Sequence, residues 1–276
     1  MLDAGPLRLA APADWVRLNL LRSHRVSPLP SPDGTWVAYS GLRGVGLYVA
    51  RADGSGVPRV VDRTYQGPRA WASGATALHF GQETVLAWRP DRADLEAGRR
   101  LWDRPWDEEL GRVIRDGPTE TWFHHPKRGT LSVERLGAPA ETLVDGDAWG
   151  VALSPDGRWV AYSTGTLAEP ALHLLDARTR VTRELGRGVH PAWLPDGTAL
   201  IFARPAGVER HEGRGEVTGS ELMVHGLVSG STRALTATPD IVEMQPRVSA
   251  DGHFVVFSDW RGGGIYRAAL YGEGLP

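Results

Sequence analysis

A tight turn ending in Asp-Gly recurs along this chain of 276 residues at a nearly fixed interval. The four clear copies are Ser31–Gly34, Ser154–Gly157, Leu194–Gly197 and Ser249–Gly252. The glycines of the first two are 123 residues apart, which is three intervals of 41, and the weaker pairs Ser73-Gly74 and Asp116-Gly117 fall where two further copies are needed. Six copies at intervals of about 40 residues indicate a circular or solenoid repeat.

Short segments rich in aromatic and β-branched residues follow the turns, which is typical of β-strands. The clearest examples are Trp36–Tyr39, Trp159–Tyr162 and Phe254–Phe257. A third strand is expected to begin 12 to 15 residues after the glycine in five copies, and a fourth follows in most of them. Four short strands per unit, repeated six times, predict an all-β fold, a six-bladed β-propeller of four-stranded antiparallel blades.

We therefore expect a single domain over residues 1–276, with blades at about 26–65, 66–107, 108–147, 148–188, 189–240 and 241–270. Only six residues follow Leu270, so the apolar-rich segment 15–21 is expected to supply the last strand and close the ring, which also removes an exposed sheet edge. In the fifth blade the third strand starts at Leu222, after a lengthened connection from Arg204 to Gly219. Residues 105–117 also fit a helix, but the repeat favours a strand from about Arg112.

Composition excludes several classes of protein. The net charge of −2 gives no reason to expect binding to nucleic acid, and the absence of cysteine excludes disulfides, thiol catalysis and thiolate metal sites. No apolar run approaches the ~18 residues of a membrane-spanning helix. The first residues do not form a signal peptide, which predicts a cytoplasmic protein as the chain is written and a periplasmic one if its start is truncated.

The string Pro-x-x-Ser-Pro-Asp-Gly with its following strand, and then Leu47-Tyr48-Val49 before a second Asp-Gly, resembles the PD40, or WD40-like, repeat of the TolB family. The resemblance covers roughly residues 26–270 and is loosest at Pro68–Phe80 and before Gly117. It implies a TolB-like propeller. In that family the propeller follows an α/β domain in a periplasmic protein, and related propellers occur in prolyl-oligopeptidase-type peptidases and in oligogalacturonide lyases.

Few residues suggest catalysis. The aspartates of the repeated turns are expected to bond to local backbone, because tight turns use Asp in this way. No Gly-x-Ser-x-Gly nucleophile elbow occurs. The adjacent His124 and His125 should point to opposite faces of a strand, and no tight His and carboxylate cluster is evident. We therefore predict no metal and no cofactor.

The innermost strand of each blade should start near the proline that precedes its turn, so the residues beside that proline should ring one mouth of the axial channel. Connections between second and third strands open on the same face. The candidate binding residues are Gln66, Arg69, Trp149, His190, Gln245, Arg247, His211 and Trp260. Trp149 and Trp260 are expected in partly exposed connections, and His211, with Glu212, can approach His190 across the mouth.

A mouth with these residues suits an acidic peptide or an anionic sugar. The predicted function is a non-enzymatic scaffold that binds a protein or peptide partner at this face, acting as a monomer. Two alternatives stay open. One is an enzyme of the lyase or hydrolase type with a metal or a His/Arg centre in the channel, and the other is a sensor module that works with a separately encoded partner.

Overall fold

The computed structural model describes residues 7–19, 28–41, 45–63, 69–71, 77–80, 86–91, 96–97, 112–116, 119–125, 127–211 and 214–272. Within these ranges the chain is all-β, apart from one turn of 3-10 helix at Pro12–Asp14. None of the described helical residues forms a segment long and apolar enough to cross a membrane.

The strands form six antiparallel sheets, each ordered along the chain as a meander. The first three sheets are β3–β6 (Leu29–Pro30, Trp36–Ser40, Leu47–Arg51, Arg59–Asp62), β7–β10 (Arg69–Trp71, Leu78–Phe80, Leu86–Trp88, Glu96–Ala97) and β11–β14 (Arg112–Asp116, Glu120–His125, Thr130–Arg135, Glu141–Val144). The next two are β15–β18 (Trp149–Leu153, Trp159–Gly165, Pro170–Asp176, Thr182–Gly186) and β19–β22 (Val189–Trp193, Ala199–His211, Arg214–Gly226, Thr232–Ala234). The predicted all-β propeller is confirmed. Its extent as one domain over 1–276 stays a prediction, as does a helical turn before Arg112, which lies outside the described residues.

The sixth sheet closes the ring with strands from both ends of the chain. It contains β23 (Glu243–Val248), β24 (Phe254–Asp259) and β25 (Ile265–Tyr271), and β25 pairs with β1 (Arg8–Leu9) and β2 (Val16–Arg17). The predicted closing segment 15–21 contains β2, and its last two residues lie outside the described part. The strand β1 was not predicted, because two residues are too few to show an alternating pattern.

Asn19 holds this closure in place. Its side chain is 3% exposed, its Nδ2 donates to the carbonyl of Gly263, and its Oδ1 accepts from the amide of Ile265, both at 2.8 Å. The one asparagine of the chain thus satisfies two backbone groups at the start of β25.

We expect Asn19→Leu to lower the free energy of unfolding by about 1–3 kcal/mol, because leucine fills a similar volume but leaves buried backbone groups without partners. Urea unfolding followed by circular dichroism measures this. The matched control is Thr179→Val, which makes an exposed residue apolar. An equal, small effect of both substitutions would show that the closure does not depend on Asn19.

The Asp-Gly turns join the first and second strands of the blades at one end of the ring. The four glycines have φ between 71° and 76°, a region that glycine adopts without steric cost. At the first turn, Asp33 Oδ1 accepts from Ser31 Oγ at 2.5 Å and from the amide of Thr35 at 3.0 Å. Burial alone would raise the pKa of Asp33, but these hydrogen bonds outweigh it and lower the pKa. The turn aspartates therefore bond to their own turns, as expected.

The predicted connection from Arg204 to Gly219 is wrong as a loop. The strands β20 and β21 continue through it as a β-hairpin, paired from Ala199↔Gly226 to His211↔Arg214. Beyond the blade the two strands pair chiefly with each other, and the register shifts at Gly207. In the sequence, the other copies of the repeat show no strand that extends beyond its blade. The repeat pattern therefore predicts a loop, and not a hairpin, for the extra residues of the fifth copy.

The core is distributed between neighbouring blades. Between the fourth and fifth, for example, one cluster joins Leu172 and Leu174 to Leu200 and Phe202. Each blade therefore depends on its neighbour for burial, which fixes the position of the innermost strands around the axis.

Candidate functional site

The innermost strands of three blades are bulged at the same repeat position. Gly150, His190 and Gln245 have φ of 59°, 53° and 54°, and the strand register shifts at each of these points. For a residue other than glycine, this left-handed conformation costs roughly 1 to 2 kcal/mol. Such strain persists where the surroundings enforce it and is concentrated at functional sites.

A cavity of about 600 Å³ lies against these bulges and is called the axial cavity here. It is bounded by the innermost strands β15, β19 and β23. Its described lining consists of Gly150, Val151, Ala152, Leu153, Ser154, Pro155, His190, Pro191, Ala192, Trp193, Arg247 and Val248. No described acidic residue lines it, so arginine and histidine dominate its polar character.

His190 is held between two tryptophans. Its ring centroid lies 6.0 Å from that of Trp149 at an interplanar angle of 77°, and 5.9 Å from that of Trp260 at 60°. Its Nδ1 is buried and has no hydrogen-bond partner among the described residues. Burial, with a smaller effect of the nearby Arg247 charge, lowers the pKa of His190 to about 3. The imidazole is therefore neutral at physiological pH.

Arg247 lines the same cavity and has no counter-ion among the described residues. Its Nη1 donates to the carbonyl of Pro246 at 3.1 Å, and it forms no ion pair with a described carboxylate. Burial lowers the pKa of Arg247, although a guanidinium stays charged at any physiological pH. The axial cavity therefore contains a cation beside a neutral imidazole.

The two tryptophans flank His190, which lines the cavity, and this pair is called the rim here. Trp149 Nε1 donates to the carbonyl of Gly165 at 3.0 Å, and the backbone amide of Trp260 donates to the carbonyl of Val242 at 2.9 Å. Both side chains are half-buried, as expected. Trp149 is the first residue of β15, however, and does not belong to the preceding connection. The first bond orients the ring of Trp149, and the second holds the backbone from which the Trp260 side chain projects.

A buried carboxyl, Glu243, lies near the half-buried Glu221. Glu243, the first residue of β23, has no exposed surface; its Oε1 accepts from Thr238 Oγ1, and its Oε2 has no described partner. Burial, and to a smaller extent the nearby charge of Glu221, raises the pKa of Glu243 to about 8. Glu221 accepts from Thr236 Oγ1 at 2.6 Å and from the amide of Thr238 at 3.1 Å. Sequence reasoning missed this pair, and its only signal was a glutamate between Val242 and Met244.

The structure brings together Trp149, His190, Arg247 and Trp260 of the candidate residues. Gln245 occupies a bulge, but its Oε1 accepts from Ser258 Oγ at 3.3 Å and the residue does not line the axial cavity.

The other candidates are not placed at the cavity. Gln66 lies outside the described residues, and Arg69 begins β7 with a side chain that is not described. His211 ends β20 at the tip of the hairpin. It lies roughly 26 Å along the strand from Ala203, the residue of β20 that pairs with Val189 next to His190. Among the described residues, no group of three or more His, Asp or Glu side chains is arranged to hold a metal ion.

Comparison with known proteins supports the fold. No family model matches the chain. An oligogalacturonate lyase from Vibrio parahaemolyticus is 12% identical, covers 96% of this chain and 98% of its own, and superposes with a TM-score of 0.58. A putative gluconolactonase is 14% identical over 98% of this chain and 100% of its own, with a TM-score of 0.57. A putative TolB from Agrobacterium tumefaciens is 12% identical over 90% of each chain, with a TM-score of 0.52.

These identities show a shared β-propeller fold and nothing about activity. The similar structures are named as a lyase, a lactonase and a TolB, and one propeller architecture serves unrelated functions. The function must therefore be argued from the mouth of the axial cavity.

Proposed function

We propose that this protein is a binding propeller that takes a protein or peptide partner at the mouth of the axial cavity, across Trp149, His190 and Trp260. The observation that supports it is the strained His190, held between two half-exposed tryptophans at the rim. Tryptophan and arginine are the residues that most often dominate the energy of binding interfaces. The cavity volume of about 600 Å³ lies within the usual range of ligand pockets.

The hairpin of β20 and β21 extends the same face. Arg261, the neighbour of Trp260, donates through Nη1 to the carbonyl of Pro239 at 2.9 Å and through Nη2 to that of Thr218 on β21. These bonds tie the base of the hairpin to the rim. A partner larger than a short peptide therefore has a second surface next to the cavity.

Binding is favoured over catalysis because of the state of His190. A general acid or base works best when its pKa lies near the working pH, and the pKa of this histidine is about 3. The alternative is a propeller enzyme of the lyase or hydrolase type with a metal or a His/Arg centre in the cavity. It is supported by the proximity of His190 and Arg247. Stoichiometric metal in the purified protein, lost in His190→Ala, would favour that enzyme.

The test is selection of binders from a random peptide library against the immobilised protein, followed by calorimetric titration of the enriched peptides. We expect Trp149→Ala and Trp260→Ala each to weaken binding at least tenfold, or by about 1.4 kcal/mol, because each removes a rim contact. The matched control is Trp159→Ala, a half-buried tryptophan at the opposite, turn end of the ring.

Trp159→Ala should leave the affinity unchanged. The proposal fails if no peptide is enriched relative to the double variant of Trp149 and Trp260. It also fails if the control substitution weakens binding as much as the rim substitutions do.

A further inference from the structure

We propose that Arg247 and His190 form a carboxylate subsite inside the axial cavity, and that the partner enters it with a carboxylate group. This inference rests on the proposed function for the identity of the partner, and it adds the chemistry that the partner must present. Arg247 lies two residues beyond the Gln245 bulge, which places it about 6 to 7 Å further from the mouth along β23. The tryptophan rim thus contacts His190, and the charged subsite lies further along the innermost strands.

The charge of Arg247 is not compensated by any described carboxylate. Arg247 is half-buried, and a partly dehydrated cation without a counter-ion gains from an anionic ligand, because the ligand replaces the hydration that was lost. Apart from the bond to Pro246, no hydrogen bond or ion pair from the Arg247 side chain to a described residue is present. A guanidinium has five N–H donors in a planar fork, so most of them are free for a ligand or water. A carboxylate matches this fork with two parallel hydrogen bonds.

The Nδ1 atom of His190 is buried. It has no hydrogen-bond partner in the part of the chain that the structure describes, it belongs to a residue that lines the same cavity, and its ring is flanked by Trp149 and Trp260. The Arg247 charge contributes to the lowered pKa of His190, so the two groups are close enough to interact. In the tautomer with a proton on Nδ1, the imidazole donates a second hydrogen bond to an oxygen held by Arg247.

Mostly uncharged residues surround Arg247 and His190 in the axial cavity. The neighbouring lining is apolar or small, with Val151, Ala152, Ala192 and Val248. An anion there competes with no described acidic residue, and apolar neighbours strengthen a charge-assisted hydrogen bond by lowering the local dielectric. The site is therefore selective for charge, while the rim provides apolar contact for the rest of the partner.

The direct test uses succinate, with the neutral isostere succinamide as the comparison compound. Protein labelled with ¹⁵N is titrated, and the side-chain signals of Arg247 and His190 are followed by NMR. We expect saturable shifts with succinate, with a dissociation constant on the order of 1 mM, and none with succinamide. Arg247→Gln should weaken succinate binding at least tenfold and Arg247→Lys less, because lysine keeps the charge but not the fork.

The matched control for charge is Arg178→Gln, an exposed arginine in the turn after β17 at the opposite end of the ring. It should bind succinate as the wild type does. Thermal unfolding of each variant establishes that it is folded, and Arg247→Lys serves as the test if Arg247→Gln is not. Equal responses to succinate and succinamide, or equal affinity in wild type and Arg247 variants, would overturn the subsite.

A second arm identifies the source of the carboxylate and separates the two proposals. Each selected peptide is compared with its C-terminally amidated form and with its Glu→Gln or Asp→Asn forms, and the loss of affinity identifies the carboxylate that is bound. Peptides that depend on Trp149 and Trp260 but are indifferent to all three changes and to Arg247→Gln would overturn the subsite and leave the proposed function standing. Succinate binding that depends on Arg247, without any peptide binding, would do the reverse.

Discussion

Glu243→Gln is expected to remove most of the fall in the free energy of unfolding as the pH rises towards 8. The pKa of this carboxyl rises from 4.5 to about 8 on folding. Between those values the folded protein keeps a proton that the unfolded chain has lost, so stability decreases with rising pH by about 1.4 kcal/mol per pH unit. Over the whole interval the loss amounts to a few kcal/mol. Glutamine keeps an oxygen for Thr238 Oγ1 but does not titrate.

The best interval for this measurement is pH 6.5 to 8. His190 acts in the opposite direction: its pKa falls from 6.5 to about 3, so below pH 6.5 the unfolded chain binds a proton that the folded protein does not. Stability due to His190 is therefore lost as the pH falls from 6.5 towards 3 and is complete above 6.5. The nearby charge of Glu221 contributes to the raised pKa of Glu243.

Urea unfolding at pH 6.5 and pH 8 gives the two free energies for each variant. The matched control is Glu184→Gln, which removes an exposed carboxylate from the outer strand β18. Wild type and control should lose stability over this interval, and Glu243→Gln should not. If all three lose stability equally, Glu243 is already ionised in the folded protein.

Phe202→Ala is expected to lower the free energy of unfolding by about 3–5 kcal/mol, the usual cost of removing a large buried aromatic ring. The side chain has no exposed surface and packs between the fourth and fifth blades. A Cβ at Gly188 would lie 2.6 Å from its Cδ2, so backbone approaches the ring closely. Glycine has no side chain with which to fill the space that the ring leaves.

Urea unfolding against Val228→Ala measures this effect, since Val228 is 74% exposed and its truncation should change stability by less than about 0.5 kcal/mol. A loss below about 1 kcal/mol for Phe202→Ala would show that the blades do not depend on each other for burial. The distributed core described for the propeller would then be incorrect.

Much of the fold could be predicted because the repeat supplies the same local signal several times. Second strands such as Trp36–Ser40 and Phe254–Asp259 begin where the turn spacing places them. The extended hairpin could not be predicted, because its pairing beyond the blade departs from the repeat. The short strand β1 could not be predicted either, since its stability comes from pairing with β25, far away in the sequence.

The candidate site was predicted in part for the same reason. Residues next to the equivalent prolines of successive units meet around the axis, which brought His190 and Arg247 to one cavity and Trp149 against His190. The bulges could not be predicted, because nothing in the sequence shows that His190 and Gln245, which precede Pro191 and Pro246, adopt a positive φ. The raised pKa of Glu243 depends on burial by other elements of the fold, and no local pattern reports that.

The most direct measurement is a crystal structure of the protein with a peptide selected for binding. We predict that the peptide crosses the rim between Trp149 and Trp260 and places a carboxylate within hydrogen-bond distance of the Arg247 guanidinium, about 2.7–2.9 Å. A peptide bound at the Asp-Gly turn end, or along the outer strands with the axial cavity unchanged, would contradict the proposed binding face.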